Sequence, residues 1–553
     1  MLKRFHGTIA VLLVLTASTA PAASAAPAAP AAPTLAERID ATLAPLYKND
    51  APGATVIVVK DGKTVFRKAY GMADVAGGRP LTPETALRIG SLTKQFTATA
   101  ILMLVDEGKL SLDDDITRYL SGYPTHGKRI TIEHLLTHTS GIVSYTGKSD
   151  YLQHMAEDVM VGQMIDRFKN DPLEFEPGSG YRYNNSGYFL LGAIIEKVSG
   201  QTYAGFLQQR IFTPLGMTHS AYEGRETASF PHALGYSPDP AGFKPSIRLS
   251  MTQPYAAGAL VSSVDDLARW DAAVSAGKLL SPASWKRAFT SYRLGNGKAT
   301  GYGYGWEITT LRGVPELVHG GAITGFRSYA LRLPEQRVYV AVLSNADGGV
   351  TSPDGPARMA AALAIGKPYP AHQAIAIASG LLDAYQGQYE GGWTVRRDGG
   401  KLALRAPGVP LLRLQAFSET GFFLPGSVNW VEFRRAAQGG VAALVLHDGD
   451  NESVKARVAG VGTRTAVRIP HAAFDTRAGR YLFPQGLVIE LTREGDRMFA
   501  LASGQSRLEI FALDAHTFFS NEADAELRFN DADPATPVVL SQGGQLLKGV
   551  KLP

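Results

Sequence analysis

The chain has 553 residues, 45% hydrophobic and 19% charged, with 55 Lys and Arg against 50 Asp and Glu for a formal net charge of +5. That length exceeds one ordinary core and predicts two or three domains; the basic residues are scattered, which argues against a nucleic-acid partner because phosphate binding needs clustered positive charge. There is no cysteine, which excludes disulfides, cysteine-based metal sites and a lipidated cysteine anchor.

Residues 1–25 read as a secretory signal peptide, with Lys3 and Arg4, an apolar run from Ile9 to Leu15 and the small residues Ala23-Ser24-Ala25. The apolar run is shorter than the ~20 residues of a membrane span. The expectation is a secreted or periplasmic protein with no stable membrane insertion after signal removal. Residues 26–34 form an Ala/Pro linker.

Thr55 to Val59 and Thr64 to Phe66 flank Asp61-Gly62 and predict a hairpin. A helix is expected from Ser91 to about Val105, with Phe96, Ile101, Leu104 and Val105 inward and Gly108 ending it. Positions i and i+3 share a helix face, so Lys94 lies one turn beyond Ser91 with its amine near the hydroxyl. A serine is a poor nucleophile until a neighbour takes its proton, and a dry pocket lowers a lysine pKa enough for that task. Free N–H groups at the helix start favour developing negative charge.

Further helices are expected over residues 131–137, 187–198 and 264–273. His134 and His138, four apart, have a metal-pair spacing, but no third ligand is evident and a structural role is favoured. His6 and His154 read as surface residues. Tyr183 offers a phenol for proton transfer, and Asn185 an amide able to bind a substrate carbonyl or orient Lys94. Residues 316–319, 328–333 and 338–344 read as neighbouring antiparallel strands, with His319-Gly320-Gly321 at a strand end where glycines would let a substrate backbone approach. No G-x-S-x-G elbow occurs.

Composition changes after Lys367, where Pro368 and Pro370 lead through a short Ala-rich helix into a strand-rich tail. The tail repeats itself. Gly387-Gln388-Tyr389 recurs as Gly479-Arg480-Tyr481, and Phe422-Phe423 as Phe518-Phe519, at offsets of 92 (481 − 389) and 96 (518 − 422). Two small antiparallel barrels follow.

Ser91-Leu92-Thr93-Lys94, Tyr183-Asn184-Asn185 and His319-Gly320-Gly321 stand in that order at spacings of 92 (183 − 91) and 136 (319 − 183). With Ile132 to Gly141, Ala257-Gly258-Ala259-Leu260 and Gly325-Phe326, they resemble the serine β-lactamase and penicillin-binding family, in particular its class C branch. The resemblance implies that Ser91 is the acylated nucleophile, that Lys94 and Tyr183 share general acid/base work, and that Asn185 binds substrate. It places His319 where the family has the lysine of K-T-G, Gly321 on the substrate-binding strand, and the oxyanion hole at the N–H groups of Ser91 and Ala322. A histidine is mostly neutral near pH 7, so a weaker preference for substrate carboxylates is expected, with peptides presenting an N-terminal amine, amides or esters favoured instead.

The tail looks like that of the three-domain D-aminopeptidases. The implied fold is multidomain: an α/β (α+β) catalytic domain with an antiparallel sheet and a helical subdomain over residues 35–366, a linker helix over 367–382, and lipocalin-like barrels over 383–470 and 471–553. In those relatives a loop of the last barrel reaches the active site; Leu482 to Gly486 is the candidate loop here, and it lacks the acidic residue an amine would need. The resemblance implies no cofactor and no metal. The expected partner is a small peptide, amide or ester substrate, with peptidoglycan fragments as a further class. The expected function is a secreted serine hydrolase of D-amino-acid peptides or amides, of the D-aminopeptidase or D-peptidase type; the alternatives are a carboxylesterase or weak β-lactamase on the same site, and a penicillin-binding sensor that does not turn over or a cell-wall-binding protein.

Overall fold

The computed structural model describes residues 32–552 apart from 149, 225–229, 240, 399, 407–410, 438, 459–465, 485–486, 503–506, 521–524, 534–536 and 543–544. Two compact units divide at Thr34 and Leu35, and the signal-like segment 1–25 lies outside the described residues. No helix among the described residues is long and apolar enough to cross a membrane.

The catalytic half is built on a six-stranded antiparallel sheet in the order Glu307–Leu311, Val314–Ile323, Phe326–Leu333, Val338–Ser344, Ala54–Lys60 and Lys63–Tyr70. Side chains alternate faces along a strand. Val338, Val340 and Val342 therefore join Val56 and Val58 beneath the helices Leu35–Leu43 and Asp354–Ala364, while Tyr339, Ala341, Leu343 and Ile57 face the larger core around Phe96, Leu191 and Trp270. Burial on both faces explains why the run Val338 to Ser344 is almost wholly apolar. The hairpin turns at Asp61-Gly62 as the sequence suggests, with both residues at positive φ.

One expectation about this sheet is corrected. His319-Gly320-Gly321 does not end a strand: the ladder runs on to Ile323, with His319 opposite Ala330 and Gly321 opposite Ser328.

The tail forms an eight-stranded antiparallel sheet over residues 387–456 and a closed eight-stranded barrel over 479–551. The ends of the first sheet meet where Tyr389 bridges Arg457 and the Val458 N–H donates to Gln388 O at 2.9 Å. The sequence repeat has a structural counterpart: Tyr389 and Tyr481 each donate their hydroxyl to the carbonyl four residues back, on Tyr385 and Arg477, at 2.8 Å. The Ala-rich stretch after Pro370 is not helical. Its Ile375 N–H donates to Ala416 O at 2.9 Å, holding it extended against the first barrel, and the helix forms later, over Ser379–Tyr385.

The first barrel is fastened to the catalytic half by an ion pair between Arg312 and Asp450 at 3.0 Å. The contact is tight at Gly355, where a Cβ would stand 1.9 Å from the Gly426 carbonyl oxygen. Gly355→Ala is expected to push the helix Asp354–Ala364 off the barrel at a cost of about 1–3 kcal/mol, read as a lower urea midpoint. An unchanged midpoint would mean that the two domains do not press together in solution.

Candidate active site

Ser91 lies in a 3₁₀ turn, Gly90–Leu92, that leads into the helix Thr93–Asp106. Gly90 has φ +50°, and a Cβ there would stand 3.1 Å from Ala322 N. This turn therefore lies against the strand that carries Ala322. Gly321 explains the close approach: a Cβ on it would stand 2.1 Å from Ile89 O and 2.3 Å from Ser328 Oγ. The glycine makes room for the nucleophile's own loop, pinned by the Ser328 hydroxyl donating to Ile89 O at 2.7 Å. The backbone that approaches Gly321 on this side is that of the chain itself.

Lys94 is fully buried, one turn beyond Ser91. Its Nζ is 3.3 Å from Ser91 Oγ, 2.8 Å from Asn185 Oδ1 and 2.9 Å from the Ala257 carbonyl oxygen. No carboxylate is among these partners, and burial pushes the amine well below the ordinary lysine value. In its neutral form, which burial favours, the amine has two N–H bonds and one lone pair. Asn185 Oδ1 and Ala257 O can only accept, so they take the two protons and the lone pair is left for the Ser91 hydroxyl.

Tyr183 faces the same hydroxyl; the residue is 36% exposed, and the partial withdrawal of its phenol from water pushes its pKa up although the Ser91 bond opposes this. Its ring also covers the amine, with Lys94 Nζ 4.7 Å from the centroid. Asn185 begins the helix Asn185–Ser199, capped by Asn184, whose side chain accepts from the Gly187 N–H at 2.7 Å. With its Nδ2 donating to Thr146 Oγ1 at 3.1 Å, the Asn185 amide is oriented to present oxygen to Lys94.

His138, read from sequence as structural, shapes this site. It lies past the end of the helix Ile132–Leu136 at φ +59°, so it does not share a helical face with His134. Its carbonyl accepts from the Arg182 N–H at 3.0 Å, and its Nδ1 accepts from the Asn184 N–H at 3.1 Å. The residues on either side of Tyr183 are thus both tied to His138, whose ring packs on Tyr183 with centroids 4.4 Å apart. His134 is occupied in a capping box with Thr131. His6 lies outside the described residues, and His154 is an exposed partner of Glu157.

His319 does not project into the cavity at Ser91. It is 2% exposed, with Nδ1 2.6 Å from Gly320 O and Nε2 2.8 Å from the Tyr302 hydroxyl. A carbonyl only accepts, so Nδ1 carries the proton and Nε2 accepts from Tyr302. Burial, with Lys94 nearby, pushes its pKa down to about 3. His319 is therefore a neutral group holding Tyr302 in place, and Tyr302 gave no signal in the sequence.

The cavity at the nucleophile is about 260 Å³ and is lined by Ser91, Asn185 and Ala322 together with a wall that includes Tyr151, Met155, Leu249 and Ile323. All of its described lining residues fall between 90 and 324. The described residues of the candidate loop 482–486 do not line it: Phe483 is buried in the second barrel, and its N–H donates to Leu487 O at 2.8 Å, while residues 485–486 lie outside the described set.

The buried histidines make stability pH-dependent. His319 titrates near 3 in the folded protein, and burial pushes His138 well below its ordinary value as well. In the unfolded chain both take up protons near ~6.5. The unfolded state therefore binds more protons below that pH, so the stabilisation is complete above about 6.5 and is lost as pH falls towards 3. His319→Gln is expected to flatten this decline by up to ~1.4 kcal/mol per pH unit. Parallel slopes for the two proteins, in urea titrations at descending pH, would refute it.

A family model described as beta-lactamase matches residues 35–364. Penicillin-binding protein 4* of Bacillus subtilis (strain 168) is 31% identical over 424 residues, covering 72% of this chain and 93% of that protein. The octameric penicillin-binding protein homologue from Pyrococcus abyssi superposes with a TM-score of 0.56 at 30% identity, covering 76% of this chain and 99% of the other. A D-amino acid amidase from Ochrobactrum anthropi SV3, solved with L-phenylalanine amide, superposes with a TM-score of 0.51 at 25% identity, covering 60% of this chain and 97% of the other. Nucleophile, amine and phenol all meet within the matched segment, and the chain is a serine hydrolase that belongs to the beta-lactamase family.

Proposed function

We propose that the protein is an exported hydrolase that cleaves D-amino-acid-containing peptides or amides through an acyl-enzyme on Ser91. The observation that carries the reading is Lys94 Nζ lying 3.3 Å from Ser91 Oγ with its other two partners able only to accept, so that in its neutral form the amine turns its lone pair to the hydroxyl. The likeness to the D-amino acid amidase supports the substrate class, residues 1–25 support export, and peptidoglycan fragments would supply peptides of this stereochemistry.

In acylation the Ser91 oxygen attacks the substrate carbonyl carbon, and its proton passes to Lys94. The N–H groups of Ser91 and Ala322 receive the negative charge that forms on the carbonyl oxygen. The bond from carbon to the leaving nitrogen then breaks, and the Tyr183 phenol relays the proton from Lys94 to that nitrogen. Water repeats the sequence against the ester, releasing a carboxylic acid and restoring Ser91.

Incubation with D-phenylalanine p-nitroanilide is expected to release p-nitroaniline, with a transient acyl adduct on Ser91 by intact-mass spectrometry. Faster turnover of p-nitrophenyl butyrate or nitrocefin than of any D-amide would select the second reading, an esterase or weak β-lactamase on the same site. A permanent adduct with a β-lactam and no turnover of any substrate would select a sensor.

A further inference from the structure

Three independent features remove charge from the place where substrate must lie. None of the residues lining the cavity at Ser91, among those described, is Asp, Glu, Lys, Arg or His. The strand histidine is buried, bonded at both nitrogens, and spends its only N–H on Gly320 O. No described residue of the second barrel lines the cavity, and Phe483 is buried within that barrel with its N–H donating to Leu487 O. Arg248, next to Leu249 along the chain, lines a separate pocket whose Arg88 and Glu223 already pair with each other at 2.6 Å.

What replaces charge is apolar surface. Tyr151, Met155, Leu249, Pro254 and Ile323 form the wall, and Leu152 at its rim is 62% exposed. An ammonium or carboxylate placed against that wall would give up water with no oppositely charged side chain among the described lining to compensate it, whereas an apolar side chain gains from the same move.

Resting on the hydrolase reading above, we infer that the site takes neutral acyl donors: substrates whose amine is capped and whose residue at the scissile carbonyl carries a bulky apolar side chain. Neither a free N-terminal amine nor a terminal carboxylate is the recognition element. The protein is thereby neither an aminopeptidase nor a carboxypeptidase in its specificity, and it cleaves within capped or longer chains.

The test compares N-acetyl-D-phenylalanine p-nitroanilide with the same compound bearing a free amine, at a pH where that amine is protonated. The capped compound is expected to have a kcat/KM at least tenfold higher. Leu152→Asp and Leu249→Asp each add an acidic partner at the wall and are expected to shift the ratio at least tenfold towards the free amine; the exposed position of Leu152 guards against loss of the fold. A preference for the free amine in the unaltered protein, or equal rates, would overturn the inference while leaving the hydrolase intact. If neither compound acylates Ser91 by intact mass, and no other amide or ester does, the proposed function itself fails and this inference with it.

Discussion

Ser91→Ala is expected to lower kcat/KM by ~10⁴-fold or more, the scale seen when a nucleophile is removed from a serine hydrolase. The substitution deletes one oxygen. The N–H groups at residues 91 and 322, the apolar wall and the Lys94 bonds to Asn185 and Ala257 all remain. Substrate would still bind, but no atom would be left to carry the acyl group, and direct attack by water would have to use a site shaped around a side-chain oxygen. Stability should hardly change, because the turn Gly90–Leu92 depends on Ile89, Gly90 and Gly321 rather than on this hydroxyl. The measurement is steady-state cleavage of a D-amino-acid p-nitroanilide alongside the thermal midpoint of the variant. A loss below tenfold, in a protein that still melts where the unaltered one does, would show that Ser91 is not the attacking group.

Much of this site was legible before any coordinates, and the parts that were not share a physical cause. Ser91 and Lys94 could be paired because helical periodicity converts a spacing of three into a shared face. Tyr183 and Asn185 could be joined to them only through resemblance, since nothing in the intervening residues says that Asn185–Ser199 packs against Thr93–Asp106. The carbonyl of Ala257 was invisible, because a backbone group has no signature in the sequence; Ala257-Gly258 could be noticed as a phrase but not as an acceptor for Lys94. His138 and Tyr302 were hidden for another reason. Their roles depend on a left-handed backbone at residue 138 and on a bond between a loop and a strand, neither of which follows from local pattern. In the tail, the repeat announced two barrels, but the Ala-rich stretch is not helical: outside any strand, it bonds from Ile375 N–H to the Ala416 carbonyl of the first barrel.

Lys94→Ala is expected to cost ~10³-fold in kcat/KM, within the 10²–10⁴ range of a positioned general base, and to separate proton transfer from architecture. The amine has two jobs. It accepts the serine proton, and it donates to Asn185 Oδ1 and Ala257 O, both drawn into the protein behind the nucleophile. Truncation leaves those two acceptors without a donor, at about 1–3 kcal/mol for each that water cannot reach, so some loss of stability is expected together with the loss of rate. A structural role alone would give the first and a proportionate share of the second. Restoring a base without restoring the side chain distinguishes the two: methylamine or ethylamine added to Lys94→Ala can enter the space beneath the Tyr183 ring and should recover activity in proportion to the concentration of the unprotonated amine, rising with pH through the titration of the added base. Lys94→Arg, which keeps donors but cannot surrender a proton, should stay inactive and gain nothing from added amine. If the small amines raise the melting temperature of Lys94→Ala without raising its rate, the lysine is a strut and the proton of Ser91 leaves by another route.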